Sequence, residues 1–123
     1  MNKALRILII DDNAIARAMI REMVEPHGYE VAAEAAEIKG ALAAYTEHKP
    51  DLVTLDLSLI GGNGLSVLQA IRLLDQHAKV IVVSGNSQKK IKDLVIASGA
   101  AAFLNKPFTP KELLAVISQL SPA

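Results

Sequence analysis

The sequence predicts an α/β fold in which about five β-α units build an open parallel sheet with helices on both faces. Short apolar runs alternate with stretches of helical apolar spacing from end to end. Three of the runs, at 7–10, 52–55 and 80–83, are continuous and rich in Ile, Leu and Val, as strands covered on both faces are. Composition agrees: hydrophobic residues make up 51% of the chain and aromatics only 3%. A core of Ile, Leu, Val and Ala favours α/β layers over an aromatic-rich β-sandwich, and mean hydropathy of +0.30 excludes disorder.

The elements follow in order. After the strand at 7–10, Ile15, Met19, Ile20, Met23 and Val24 form one helical stripe, with both methionines read as core. Gly28 marks a loop before a strand at 29–33, and Ile38, Ala41, Leu42 and Tyr45 form the second stripe. Lys49-Pro50 punctuates the way to the strand at 52–55. Asn63-Gly64 opens a helix carrying Leu65, Leu68 and Ile71, and the strand at 80–83 comes next. Ile91, Leu94 and Val95 belong to a fourth helix closed by Gly99. A strand at 101–104 precedes Thr109-Pro110-Lys111-Glu112, a capping box with Pro at the first helical position, which starts a helix with Leu113, Val116, Ile117 and Leu120. No linker, repeat or low-complexity tract interrupts the pattern, so residues 1–123 are expected to form one domain with no separate output domain.

Several function classes are disfavoured. Lys plus Arg and Asp plus Glu both number 13, so a neutral chain has no electrostatic bias toward nucleic acid or membrane surfaces. The absence of Cys removes disulfides and thiolate metal sites. Lys3 and Arg6 could suggest a signal peptide, but the apolar run ends at Asp11, short of the roughly 7–15 residues such a core needs. No stretch approaches the roughly 18 apolar residues of a membrane span. A cytoplasmic protein is expected.

In sheets of this kind, ligands bind beyond the carboxyl ends of the strands, where strand order reverses. The polar residues at those ends are Asp11, Asp12, Asp56, Ser84 and Lys106, the last followed by Pro107. Clustered carboxylates repel one another unless a cation sits among them. A hard divalent ion such as Mg²⁺ relieves that repulsion and takes phosphate oxygens as further ligands. Lys106 can neutralise a phosphoryl group and the Ser84 hydroxyl can donate to it, so the set suits phosphoryl transfer to a carboxylate. Each residue alone reads as a loop, cap or turn. Their joint placement at successive strand ends carries the argument.

The segments 7–12, 52–57, 80–85 and 102–108 together resemble the receiver domain of two-component response regulators, in order and spacing, over essentially the whole chain. The resemblance implies a flavodoxin-like (βα)5 fold with a five-stranded parallel sheet in order 2-1-3-4-5. It makes Asp56 the phospho-acceptor. Asp11 and Asp12 become the acidic pair that binds Mg²⁺, with Asp56 and the backbone carbonyl of Ser58 as further ligands. Ser84 corresponds to the switch Ser/Thr, Lys106 to the family's lysine and Phe103 to the switch aromatic. The implied activity is a switch that phosphorylates and dephosphorylates itself rather than an enzyme with an external substrate. Its donor would be a sensor histidine kinase or histidine phosphotransfer protein. A downstream protein would meet the surface of helix 4, strand 5 and helix 5. Departures are Ile60, where members often have Pro, and the Gly61-Gly62 that follows; Asn86 and Ser58 stand where dephosphorylation is tuned.

Two other classes are weighed. An aspartyl-nucleophile phosphatase needs Asp-x-Asp after the first strand, whereas Asp11 and Asp12 are adjacent. A pure interaction module would have no use for three costly carboxylates. A receiver piece of a longer regulator stays open beside a stand-alone protein. Gly61-Gly62-Asn63-Gly64 lacks the Lys-Ser/Thr of a phosphate loop and reads as a turn. His27, His48 and His77 lie near helix C-termini and are too scattered for a metal. Lys89, Lys90 and Lys92 oppose the macrodipole of the fourth helix and, with Lys111, offer a surface for a partner beside the plainer reading of a solvated face.

Overall fold

The computed structural model describes residues 4–58, 64–86 and 88–121. Five parallel strands, β1 (Arg6–Ile10), β2 (Glu30–Ala35), β3 (Leu52–Asp56), β4 (Val80–Ser84) and β5 (Ala102–Asn105), lie in the order β2-β1-β3-β4-β5. They alternate with helices α1 (Ala14–Val24), α2 (Ile38–His48), α3 (Gly64–Leu74), α4 (Lys89–Ala97) and α5 (Pro110–Leu120). Fold class and strand order are as expected.

The period of two along each strand divides the core into two layers. Leu8, Val53, Leu55 and Val82 pack with Tyr45, Leu68, Ile71 and Val95 from α2, α3 and α4. Ile7, Ile9, Leu52 and Ile81 pack with Ile20, Val24, Leu113 and Ile117 from α1 and α5. Strands covered on both sides have no polar face to alternate, which is why β1, β3 and β4 read as continuous apolar runs. Order reverses between β1 and β3, so a crevice opens where their carboxyl ends diverge.

Three expectations need correction. β2 runs to Ala35 rather than ending at residue 33, because this edge strand carries Glu34, whose charge is met by arginines of α1 rather than excluded from the sheet. The buried stripe of α1 is narrower than the sequence suggests. Ile20 and Val24 are buried, but Ile15 is 72% and Met19 52% exposed. Five residues along a helix turn the side chain by about 140°, so Ile15 and Ile20 cannot share one face. Met23 is partly buried against the core, so only one of the two methionines is core. Leu94 of α4 is likewise exposed.

The boundaries hold. Gly99 has φ +105 after α4, a left-handed conformation suited to glycine. Thr109 and Glu112 form the capping box of α5, and Asn13 caps α1 through the amides of Ile15 and Ala16. Gly64 is the first residue of α3, while Ile60 and residues 61–63, where the sequence leads one to expect a turn, lie outside the described residues. No described helix is long and apolar enough to cross a membrane.

Candidate functional site

Asp11 follows β1 directly, Asp56 ends β3, and Lys106 follows β5, so three strand ends deliver charge to the crevice. Carboxylate oxygens of Asp11, Asp12 and Asp56 lie within 4.8 Å of one another. Asp11 and Asp56 are buried, at 1% and 5% exposure. Lys106 Nζ donates to Asp11 Oδ2 at 3.3 Å and to Asp56 Oδ2 at 3.2 Å. The other oxygens are held too: Asp11 Oδ1 accepts from the Asn13 amide at 2.9 Å, and Asp56 Oδ1 from the Ser58 amide at 3.0 Å and hydroxyl at 2.9 Å.

These contacts push the two buried carboxyls apart. Burial raises the pKa of Asp11, the Asp56 charge adds to it, and the Asn13 amide and Lys106 only partly compensate. Burial also acts on Asp56, but the two Ser58 donors and Lys106 outweigh it and hold this carboxyl below its ordinary value. Burial opposes the Lys106 charge as well. Asp11 and Asp56 outweigh that and hold its pKa above the usual lysine value.

Ser84, 4% exposed at the end of β4, is not bonded to this group; its Oγ accepts from the Asn86 amide at 3.0 Å. Phe103 is partly buried beside the core layer of α2, α3 and α4. Lys89, Lys90, Lys92 and Lys111 are exposed, with Lys89 paired to Asp93 at 3.0 Å. They stand on α4 and α5, apart from the acidic group. His48 ends α2, and His77 lies between α3 and β4.

The chain matches the response regulator receiver domain family over residues 7–118, a span that contains every residue of this pocket. It belongs to that family. The chemotaxis protein CheY of Thermotoga maritima is 37% identical over 116 residues, which cover 94% of this chain and 97% of that protein. CheY of Bacillus subtilis is 38% identical over 114 residues, 93% of this chain and 95% of that one. A chain of the CheX–CheY–BeF3–Mg²⁺ complex from Borrelia burgdorferi superposes with TM-score 0.91 at 24% identity, covering 94% of this chain and 88% of that chain. At that identity the likeness speaks for the fold.

As a receiver domain the protein is a switch of two-component signalling. Receiver domains bind Mg²⁺ at an acidic pocket, and the Asp11, Asp12 and Asp56 group fits one. Its donors are hard carboxylate oxygens, and Asp11, raised first by burial and then by the Asp56 charge, would be held ionised by a cation among them.

The receiver pocket therefore stores a cost in its metal-free state. A carboxyl whose pKa is raised on folding is destabilising when ionised, so its contribution is lost as pH rises through the folded value. Asp11→Asn is expected to raise metal-free stability at neutral pH by about 1 kcal/mol, about 4 °C in Tm, and to weaken Mg²⁺ binding. Thermal unfolding in chelator should show the wild type losing stability as pH climbs from about 4, and the variant not. Asp56 has the opposite sign. Its contribution is present above the ordinary carboxylate pKa and lost as pH falls through the folded value, in both proteins alike. A variant less stable than wild type at neutral pH contradicts the crowded-carboxylate account.

The strand ends give no sign of the part Arg17 takes in this site, and the sequence marks Gly64 as a helix start rather than a site residue. Arg17 reaches the backbone of Asp11, and Gly64 packs against the backbone of Asp56 and Leu57. A cation in the second turn of α1, unfavourable to the macrodipole, was the available signal for Arg17.

Proposed function

We propose that Asp56 accepts a phosphoryl group from the phosphohistidine of a sensor histidine kinase or histidine phosphotransfer protein. The aspartyl phosphate then alters the surface of α4, β5 and α5. The observation that carries this reading is Lys106 bridging Asp11 and Asp56 inside a group of three carboxylates. A lone pair on an Asp56 oxygen attacks phosphorus as the phosphorus–nitrogen bond breaks. That bond's electron pair returns to the imidazole nitrogen, leaving a mixed anhydride on Asp56. Ser58 fixes the carboxylate orientation before the donor arrives. Lys106 then pairs with phosphoryl oxygens, the charge it now shares between two aspartates being ready at that place. Asp11, Asp12, Asp56 and the Ser58 carbonyl would hold Mg²⁺, which when bound neutralises charge on the phosphoryl oxygens. Attack by water on the phosphoryl group restores the carboxylate, so the domain acts on itself. In this reading residues 1–123 are one receiver unit working in the cytoplasm.

The switch runs through Ser84. A phosphoryl oxygen is a stronger acceptor than a neutral partner, and draws the Ser84 hydroxyl inward. That withdraws Oγ from the Asn86 amide, at the start of the connection to α4. The register pairs Val82 with Phe103 and Ser84 with Asn105, which sets Ser84 and Phe103 on one face of the sheet. Phe103 fills the space vacated, a burial worth roughly 1.5–3 kcal/mol, enough for a tenfold change in population. Exposed Lys89, Lys90, Lys92 and Lys111 border this surface and suit an acidic downstream protein.

Acetyl phosphate with Mg²⁺ should label the wild type, and neither Asp56→Asn nor a sample in chelator should be labelled. Ser84→Ala should take the label yet lose the accompanying chemical-shift changes in α4 and at Phe103. Labelling of Asp56→Asn, or labelling without a divalent ion, overturns the reading.

A further inference from the structure

Asp11 is tied at every polar atom, and both of its backbone ties come from outside the acidic group. Its amide donates to Ala35 O at 3.0 Å, at the end of β2. Its carbonyl accepts from Arg17 Nη1 at 2.6 Å. Arg17 is itself anchored, its Nε donating to Glu34 Oε1 at 3.0 Å, and the opposite oxygen of Glu34 takes Arg21 Nη2 at 2.6 Å. Consecutive residues of β2 thus hold both sides of Asp11, Ala35 directly and Glu34 through the guanidinium. Arg17 is largely covered, with 19% of its side chain exposed.

We infer that Arg17 is a positioning residue that sets the Asp11–Asp12 peptide plane and so brings the Asp12 carboxylate into the metal-binding group. The carbonyl direction of Asp11 fixes ψ of Asp11 and φ of Asp12, and with them the direction in which the Asp12 side chain leaves the chain. Three like charges within 4.8 Å push that loop outward. Nη1 on the carbonyl resists, and Glu34 keeps the guanidinium from following the loop. A planar fork can meet a carbonyl and a carboxylate together, which an ammonium cannot do at the same reach.

The inference rests on the acidic group binding Mg²⁺, and its sign separates it from simple electrostatics. Arg17 is a cation near a cation site, so charge alone predicts tighter Mg²⁺ binding when it is removed. Positioning predicts weaker binding, by about tenfold, the scale on which partners of metal ligands act.

The test is Mg²⁺ titration of the unphosphorylated protein, followed by backbone amide shifts, for wild type, Arg17→Ala, Arg17→Lys and Glu34→Ala. Arg17→Ala should weaken binding about tenfold, Arg17→Lys should restore only part of it, and Glu34→Ala should fall between. The double variant should be no weaker than Arg17→Ala alone, since both act through one contact. In chelator, the Asn13 amide should exchange faster in Arg17→Ala than in wild type. If Arg17→Ala does not fold, Arg17→Gln, which also removes the charge but cannot span the Asp11 carbonyl and Glu34 together, decides by the same sign. Binding unchanged or tightened in the folded variant overturns the inference and leaves the Mg²⁺ reading intact. Absence of Mg²⁺ binding by the wild type overturns both.

Discussion

Replacing Lys106 with Met is expected to destabilise the metal-free domain by about 2–3 kcal/mol, the range for removing one partner of a buried ion pair, reduced because part of the ammonium meets solvent. Lys106 is the counter-charge to two aspartates that are otherwise 1% and 5% exposed, and its side chain is 32% exposed. Without it the carboxylates face each other alone. Tm in chelator should drop by about 10 °C. Saturating Mg²⁺ should recover more of that in the variant than it adds to wild type, because a divalent ion can take over the same neutralisation. The pH dependence has a definite sign. A lysine whose pKa is raised on folding contributes fully below its unfolded value of about 10.4 and less as pH rises through the folded one. Wild type and variant should therefore converge in stability at strongly alkaline pH. Equal stability at neutral pH in chelator would show that the aspartates do not depend on Lys106.

Gly64→Ala should be the second severe substitution, although it adds one methyl group away from any charge. A Cβ at this position would lie 2.6 Å from Leu57 Cα, 2.8 Å from Asp56 O and 2.8 Å from Leu57 O, all backbone atoms. The Gly64 amide also donates to Leu57 O at 3.0 Å, so α3 begins directly on the residue next to Asp56. Nothing flexible can give way. Overpacking of this kind costs about 1–3 kcal/mol, and the displaced backbone is that of Asp56 and its neighbour. Labelling by acetyl phosphate is expected to slow by about tenfold or more, on the reasoning that small misplacements of a reacting group are expensive. Gly99→Ala is the matching comparison. Its Cβ would meet the Arg72 side chain rather than backbone, and its positive φ destabilises without touching Asp56. It should lose stability while labelling at a normal rate. If both variants label normally, Gly64 has no part in placing Asp56.

The contrast between these residues explains what could be read from the sequence. β1, β3 and β4 were visible because burial on both faces leaves a signature in the residues themselves. Asp11, Asp56 and Lys106 were visible because charge at the end of an apolar run is conspicuous. β2 was read short because its pattern includes Glu34, and a charge inside an edge strand looks like a boundary until its arginine partners are known. Ile15 and Met19 were placed in the core because hydrophobicity does not reveal helix rotation. Instead Ile15 is exposed, and Met19 lines a surface cavity of about 310 Å³ with Ala16, Met23 and Phe108, beside Lys106. Arg17 and Gly64 reach Asp11 and Asp56 through backbone atoms, and such contacts leave no complementary residue type at the strand ends to reveal them.

The identity of the modified residue tests the central claim most directly. Wild-type protein labelled by acetyl phosphate in Mg²⁺ can be reduced with borohydride, which converts an acyl phosphate to an alcohol, and then digested for peptide mass analysis. Reduction is expected at Asp56 alone, turning that residue into homoserine, with Asp11 and Asp12 recovered unchanged. A homoserine at residue 11 or 12, or a phosphoryl group that survives reduction on a histidine or serine, would contradict the account.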